Sequence, residues 1–363
     1  MHCLLVEPNY KTKYPNLALM KISSKLKNDG CSVEYIKGKK KHTLEESWNR
    51  KKYDEIYITT LFTYESAITV ETIKHYKKEY PDSIIFVGGI MASLMPKYIE
   101  KETGISSFIG YSKELDMIKP DYDLIKTGTK WDEYSFVFTT RGCINKCPYC
   151  AVPTLEPGYW INPRWKKTID FRRLKIILFD NNLTAAPIEH FEDVMYFLKK
   201  HKLEATFDSG FDCRIFNEHH MKALKEIRVN PRGLRFAFDH MGQEGYIQNT
   251  LKTCLKNGFK PRDFQIYVLF NFKDTPQEAE YRMREIMNLG ITPYPQRYVP
   301  LDQLDRSKKH VGKYWTEKLA HAFRVYYQPQ RISTTSKLLF PNWLRKNQEK
   351  ELLKQFNEHP FKK

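Results

Sequence analysis

Three cysteines stand close enough together to do chemistry as a set. The stretch Arg141-Gly142-Cys143-Ile144-Asn145-Lys146-Cys147-Pro148-Tyr149-Cys150 spaces them as C-x3-C-x2-C. Three thiolates on one short loop can hold three irons of a 4Fe-4S cluster and leave the fourth iron open to a substrate. Structural zinc normally recruits a fourth ligand from a second C-x2-C pair, which is absent at the expected distance, and a ferredoxin-type cluster takes four cysteines. A chance grouping of structural cysteines is the plain alternative. Of the other four cysteines, Cys3 and Cys31 lie in or beside apolar strands and Cys254 shares a helix face with Ile247, Leu251 and Leu255, so all three read as small buried hydrophobes. Cys213 is expected at the mouth of a barrel, where it is a candidate hydrogen donor, covalent carrier or extra ligand, with an inert thiol as the alternative.

Further polar groups follow the ends of predicted strands. Asp180-Asn181-Asn182 comes first; Asp208-Ser209-Gly210-Phe211-Asp212-Cys213-Arg214 is next, and then Asp239-His240, Asn271 with Lys273, and Gln296-Arg297. Arg214 can offer its planar fork to a ligand carboxylate, or pair with Asp212, Asp208 or Asp239. Asp180 and Asn182 also suit simple strand-to-helix capping. We take Cys213, Arg214 and Asp239 as catalytic candidates.

These groups need a scaffold that presents strand ends on one side. Strand candidates at Tyr134–Thr140, Leu174–Asp180, Glu204–Ser209, Leu234–Asp239, Phe264–Phe270 and Tyr294–Val299 alternate with helical patterns at Ile188–Lys200, Glu218–Ile227, Gly245–Leu255 and Pro276–Leu289. Six such units predict a parallel barrel or partial barrel, with its active mouth at the carboxyl ends of the strands. Upstream, His2–Val6, Ser32–Ile36, Glu55–Thr60 and Ser83–Val87 alternate with helical stretches and predict a doubly wound parallel sheet. Gly88-Gly89 follows the last of these strands, as a tight turn or as a place for close approach to a ligand. The expected organisation is an N-terminal Rossmann-like domain over 1–118, a linker over 119–132, a (βα)6 partial barrel over 133–305 and a basic, mainly helical C-terminal extension over 306–363.

Composition narrows the setting. The 363 residues are 41% hydrophobic and 14% aromatic, enough for real cores, which excludes a globally disordered or collagen-like chain. The formal net charge of +17 is uneven: residues 1–130 carry 21 basic and 17 acidic side chains, 131–305 carry 25 and 22, and 306–363 carry 14 and 4. In that last stretch Trp315, Tyr326, Tyr327, Phe340 and Trp343 interleave with the basic residues. The pattern suits RNA or DNA, or else a solubilising extension whose aromatics cover the body. No run reaches the roughly 18 apolar residues of a membrane span, and the start has no signal-peptide pattern. Seven cysteines do not form a secreted disulfide framework. A cytosolic protein is expected.

The C-x3-C-x2-C loop, with an aromatic residue before its last cysteine and a strand before it, resembles the signature of the radical S-adenosylmethionine (SAM) superfamily over about residues 134–300. The resemblance implies a 4Fe-4S cluster on Cys143, Cys147 and Cys150 and Tyr149 near the adenine of SAM. An electron donor such as flavodoxin or ferredoxin is implied, as is reductive cleavage of SAM to a 5'-deoxyadenosyl radical. By the same resemblance Asp180, Asn182, Ser209 and Arg214 are SAM contacts. Asp180-Asn181-Asn182 stands where family members usually carry a Gly-Gly-Glu-like turn, and looks more like the Asp-Asp-Asn turn of the subgroup with a cobalamin-binding-type domain.

The first 118 residues are similar to that domain, through Leu4-Leu5-Val6-Glu7-Pro8, Tyr53–Ile58, Ile84–Gly89 and Gly110-Tyr111. No Asp-x-His-x-x-Gly is present, so histidine-ligated cobalamin is not expected; members of this class bind cobalamin without that ligand, and others keep the fold and have lost the cofactor. Cys150-Ala151-Val152-Pro153 is also similar to methylthiotransferases, whose N-terminal domain has three cysteines for a second cluster where this one has only Cys3 and Cys31. The reaction expected is methylation or another radical-based modification of a substrate that includes nucleic acid among the candidates. The alternative is a non-catalytic iron-sulfur protein that binds nucleic acid or senses redox state.

Overall fold

The computed structural model describes residues 1–40, 51–125, 128–306, 310–328 and 339–360. The chain divides into two compact units, Met1–Leu174 with Leu301–Ser307, and Lys175–Pro300 with Lys308–Lys363.

The first unit is built on four parallel strands, β1 (His2–Glu7), β2 (Ser32–Lys37), β3 (Glu55–Thr60) and β4 (Ile84–Gly89), in the order β2-β1-β3-β4. Alternate residues of β1 face opposite sides. Cys3 and Leu5 pack with Leu19 and Leu26 of helix α1 (Leu17–Asn28), while Leu4 and Val6 enter the core under α2 (Ser66–Glu79), α3 (Ile90–Leu94) and α4 (Pro96–Thr103). Helices on both faces leave the strands apolar on both sides, which is why they read as continuous hydrophobic runs. This is the expected doubly wound sheet. Gly88-Gly89 acts inside it: Gly89 has φ +109°, and a Cβ there would lie 2.3 Å from the Thr60 carbonyl oxygen. The Thr60 hydroxyl donates to Gly88 O (3.0 Å) and accepts from the Ala92 amide (2.8 Å), so the pair of glycines lets β4 close against β3.

The compact division falls at Leu174, beyond the expected linker, for a packing reason. Tyr122, inside that linker, is buried; its hydroxyl hydrogen-bonds Ser135 (3.0 Å) and accepts from the Phe136 amide (2.9 Å). Residues 134–174 thereby join the first unit. The predicted strand Tyr134–Thr140 is in fact two, β5 (Tyr134–Val137) and β6 (Thr140–Gly142), and β6 pairs antiparallel with β7 (Tyr159–Ile161).

In the second unit two parallel ladders carry the remaining strands: β8 (Lys175–Leu178), β9 (Glu204–Phe207) and β10 (Arg228–Val229), then β11 (Leu234–Ala237), β12 (Phe264–Phe270) and β13 (Pro293–Arg297). The amides of Phe207 and Phe211 donate to Gly233 O and Arg235 O (2.9 and 2.8 Å), so β9 runs beside β11. After the short helices α5 (Lys113–Asp116) and α6 (Val152–Leu155) of the first unit, the second unit has α7 (Ile188–Lys200), α8 (Glu218–Lys225), α9 (Tyr246–Lys256) and α10 (Pro276–Asn288). On α7, Phe191, Val194, Met195 and Leu198 are buried, one stripe of the helical period. Thr275 and Glu278 form a capping box that starts α10.

Three further helices, α11 (Glu317–Tyr326), α12 (Phe340–Lys346) and α13 (Lys350–Asn357), belong to this unit. They are helical as expected, yet Trp315, Tyr326, Tyr327 and Phe340 are buried in its core with Phe323, and Trp343 packs on Tyr326 and Phe340. The buried rings therefore cover the body of the unit. Residues 329–338 and 361–363 of the extension lie outside the described residues. No helix among the described residues is long and apolar enough to cross a membrane.

One buried cation organises the second unit. Arg282 on α10 is fully buried and donates to Phe238 O (2.8 Å) and Leu269 O (2.7 Å) while pairing with Asp274 (2.5 Å). It thus caps free carbonyls at the ends of β11 and β12. Removing one member of a buried pair leaves the other charge uncompensated. Arg282→Met is expected to destabilise the protein by about 3–5 kcal/mol in urea unfolding, and a loss below about 1 kcal/mol would show that the carbonyls find other donors.

Candidate functional site

The cysteine loop begins at a knot of buried charge. Arg141 sets its guanidinium bidentately on Asp116, Nε to Oδ2 (2.6 Å) and Nη2 to Oδ1 (2.9 Å), and extends Nη1 to Glu156 Oε1 (2.6 Å). Lys21 Nζ of α1 reaches the same Asp116 Oδ1 (2.7 Å). Glu156 Oε2 accepts the amide of Gly142 (2.7 Å), the residue before Cys143. Asn162 Nδ2, beyond β7, donates to Asp116 O (2.9 Å) and Phe138 O (3.1 Å). Arg141 also lies over the Phe138 ring, 3.3 Å from its centre. Burial opposes the Asp116 carboxylate, but the Arg141 guanidinium and then Lys21 overcome it and hold its pKa below the ordinary carboxylate range.

Gly142 is required by this geometry. Its φ is +79°, and a Cβ would stand 1.7 Å from Gly158 O. The loop therefore leaves β6 in a direction that other residues cannot take. Cys143, Cys147 and Cys150 follow, each half-buried, with Tyr149 half-buried between them. The Cys150 amide bonds Cys147 O (3.0 Å), which makes the last two cysteines a turn. Amides also point at sulfur: Asn145 N–H toward Cys143 Sγ (3.4 Å) and Val152 N–H toward Cys150 Sγ (3.5 Å).

Thiol donors suit iron-sulfur chemistry. Among the described residues, no three His, Cys, Asp or Glu side chains converge closely enough to hold one metal ion. Ligands to separate irons do not need to share an ion. For a corrinoid the donor chemistry differs. The loop Pro8–Asn16 after β1 contains no histidine, so it offers no imidazole to a corrinoid.

The remaining candidates belong to the second unit. Asp180 and Asn182 are buried at the end of β8; the Thr184 hydroxyl donates to Asn182 Oδ1 (2.6 Å) and accepts the Asp212 amide (2.9 Å). Asp212 in turn takes the Arg214 fork, Nε to Oδ1 (2.8 Å) and Nη2 to Oδ2 (2.7 Å). Arg214 thus adopts the ion pair that was its alternative role. Asp208 pairs with Arg235 (2.7 Å), and Ser209 is exposed. Asp239 Oδ1 accepts the Leu269 amide (3.1 Å) and its own amide donates to Gln243 (2.6 Å). Burial and the charges of Arg214 and Arg282 push the neighbouring His240 below its ordinary pKa, against Asp212. Asn271 is structural: fully buried at φ +67°, it ties Tyr298 O, His310 O and the Gly312 amide together. Arg297 pairs with Glu317 (3.3 Å), Gln296 is exposed, and Lys273 lies beside the Phe272 ring.

Cys213 is buried, and burial with Asp212 nearby pushes its thiol up to about 12 against Arg214. It borders a shallow cleft of about 380 Å³ shared with Arg214, Asn217, Tyr246, Asn249 and Thr253. A protonated, enclosed thiol is a poor nucleophile and metal ligand. In the metal-free protein at pH 7.5, iodoacetamide is expected to label Cys143, Cys147 and Cys150 and to spare Cys213, read by peptide mass spectrometry. Labelling of Cys213 in the folded protein at a rate equal to the loop cysteines would contradict that placement.

Comparison with known proteins bears on part of this picture. No curated protein matches the chain. A response regulator from Thermotoga maritima is 16% identical, covering 30% of this chain and 82% of that one at a TM-score of 0.22. GanP, a glucose-galactose binding protein from Geobacillus stearothermophilus, is 11% identical, covering 82% and 95% at 0.17, and neither overlap bears on fold or function. Residues 5–116 match the B12 binding domain family, in agreement with the cobalamin-binding-type domain expected at the N-terminus.

Proposed function

We propose that this protein is a radical SAM enzyme whose Cys143, Cys147 and Cys150 hold a 4Fe-4S cluster. The observation that carries the reading is the C-x3-C-x2-C loop leaving a short strand through Gly142, with backbone amides directed at two of its sulfurs. When bound, the cluster supplies an open iron for the amino and carboxylate groups of SAM and the electron that cleaves it to methionine and a 5'-deoxyadenosyl radical. The chain's own part is placement. Arg141 and Glu156 aim the loop, and half-buried Tyr149 offers a ring to the adenine. Asp180, Asn182, Ser209, Arg214 and Asp239 are the polar groups we propose for SAM and substrate.

The B12 binding domain match supports methyl transfer as the reaction class. The basic side chains of the C-terminal helices, with Lys318, Arg345, Lys346, Lys350 and Lys354 exposed, support a polyanionic substrate such as RNA or DNA. A small acidic redox protein of the flavodoxin or ferredoxin type is the electron donor we propose, with the cytosol as its compartment.

Anaerobic reconstitution with iron and sulfide, followed by dithionite and SAM, is expected to release 5'-deoxyadenosine. Cys147→Ala should fold and abolish that release. A folded wild-type protein with a full cluster and no SAM cleavage would contradict the proposal and favour a structural or redox-sensing cluster.

A further inference from the structure

The charged knot at the start of the cysteine loop does more than hold two segments together. Its four members are Lys21, Asp116, Arg141 and Glu156, with side chains 4%, 2%, 14% and 11% exposed. Two cations and two anions balance in a space that water hardly reaches. Lys21 and Asp116 lie within the segment that matches the B12 binding domain, and Arg141 and Glu156 flank the cysteines on either side.

We infer that Asp116 is a positioning residue for the cysteine loop, acting through Arg141 and Glu156. The inference rests on the cluster assignment proposed above. Both oxygens of Asp116 are occupied by Arg141, so the guanidinium plane is set by the N-terminal domain. The third arm of that fork fixes one oxygen of Glu156, and the other oxygen receives the Gly142 amide. The direction of Asp116 is thereby transmitted to the Arg141–Gly142 peptide, one residue before Cys143. Gly142 leaves that peptide no slack, because Gly158 O closes the space on its other side. A lysine at position 141 would carry the charge without the fork, and so without the plane. Asn162 holds the Asp116 carbonyl from the far side of the loop, and the two ends of the loop therefore meet at one residue of the N-terminal domain.

Asp116→Asn and Glu156→Gln keep side-chain volume and test the chain of contacts. Tyr10→Phe, which removes the buried bond to Thr69 (2.6 Å) elsewhere in the same unit, controls for general loss of stability. In the metal-free proteins, hydrogen exchange of peptides covering 142–150 is expected to quicken about tenfold in both network variants and to stay at the wild-type rate in Tyr10→Phe. In the reconstituted, reduced proteins, the EPR spectrum is expected to broaden and its SAM-induced shift to shrink in both network variants, and Arg141→Lys should not restore it. Folded network variants with wild-type exchange and wild-type spectra would overturn the inference, as would equal loosening by Tyr10→Phe. Should Asp116→Asn fail to fold, Glu156→Gln decides alone by the same readings. A wild-type cluster that gives no response to SAM would instead sink the enzymatic reading while the exchange result stood.

Discussion

A carboxylate at position 116 and a guanidinium at position 141 face one another with both hydrogen bonds of the fork made, and the rest of the site is arranged around that contact. Buried charge is costly unless paired, and here each charge has an opposite partner. The pair ties the start of the cysteine loop to Asp116, alongside the Tyr122 contacts that join residues 134–174 to the first unit. It also explains how a carboxylate beyond the loop, Glu156, comes to accept the amide of Gly142. A loop held this way is ordered before any ligand reaches it, which lowers the ordering cost of binding.

The second unit treats its polar groups differently. Its strand ends carry a connected chain, Asn182 to Thr184 to Asp212 to Arg214, with Asp239 fixed by the backbone of β12 and Arg282 capping the carbonyls of β11 and β12. Groups already bonded to one another are rigid presenters, and a ligand that uses them must add to, or exchange with, those bonds. Arg214 illustrates this: its planar fork is committed to Asp212, so a carboxylate ligand would compete for it.

Much of this was legible in the residues. Apolar runs of β1 and β3 and the helical stripe of α7 follow directly from periodicity, and β12 was found at its observed limits because its apolar run is unbroken. The split of Tyr134–Thr140 into two strands was not legible, since nothing local distinguishes β5 from β6; their partners are distant in sequence. Charge counting pointed to the basic C-terminal stretch, but its aromatics turned out to be core, because composition does not say which face a helix buries. The network at Arg141 was invisible for the same reason: Lys21 and Asp116 have ordinary surroundings in sequence, and only the fold brings them to the cysteines. Arg141 and Gly142 beside Cys143 were the sole local hint.

Of the two polar clusters, one fixes the start of the cysteine loop in the first unit and the other holds polar groups past strand ends in the second. The central proposal is an iron left open by three thiolates. The most direct measurement is electron-nuclear double resonance of the reduced, reconstituted protein with SAM labelled by ¹⁵N in its amino group. Hyperfine coupling between that nitrogen and the cluster is the predicted result, and a full cluster with no coupling to labelled SAM would contradict the account.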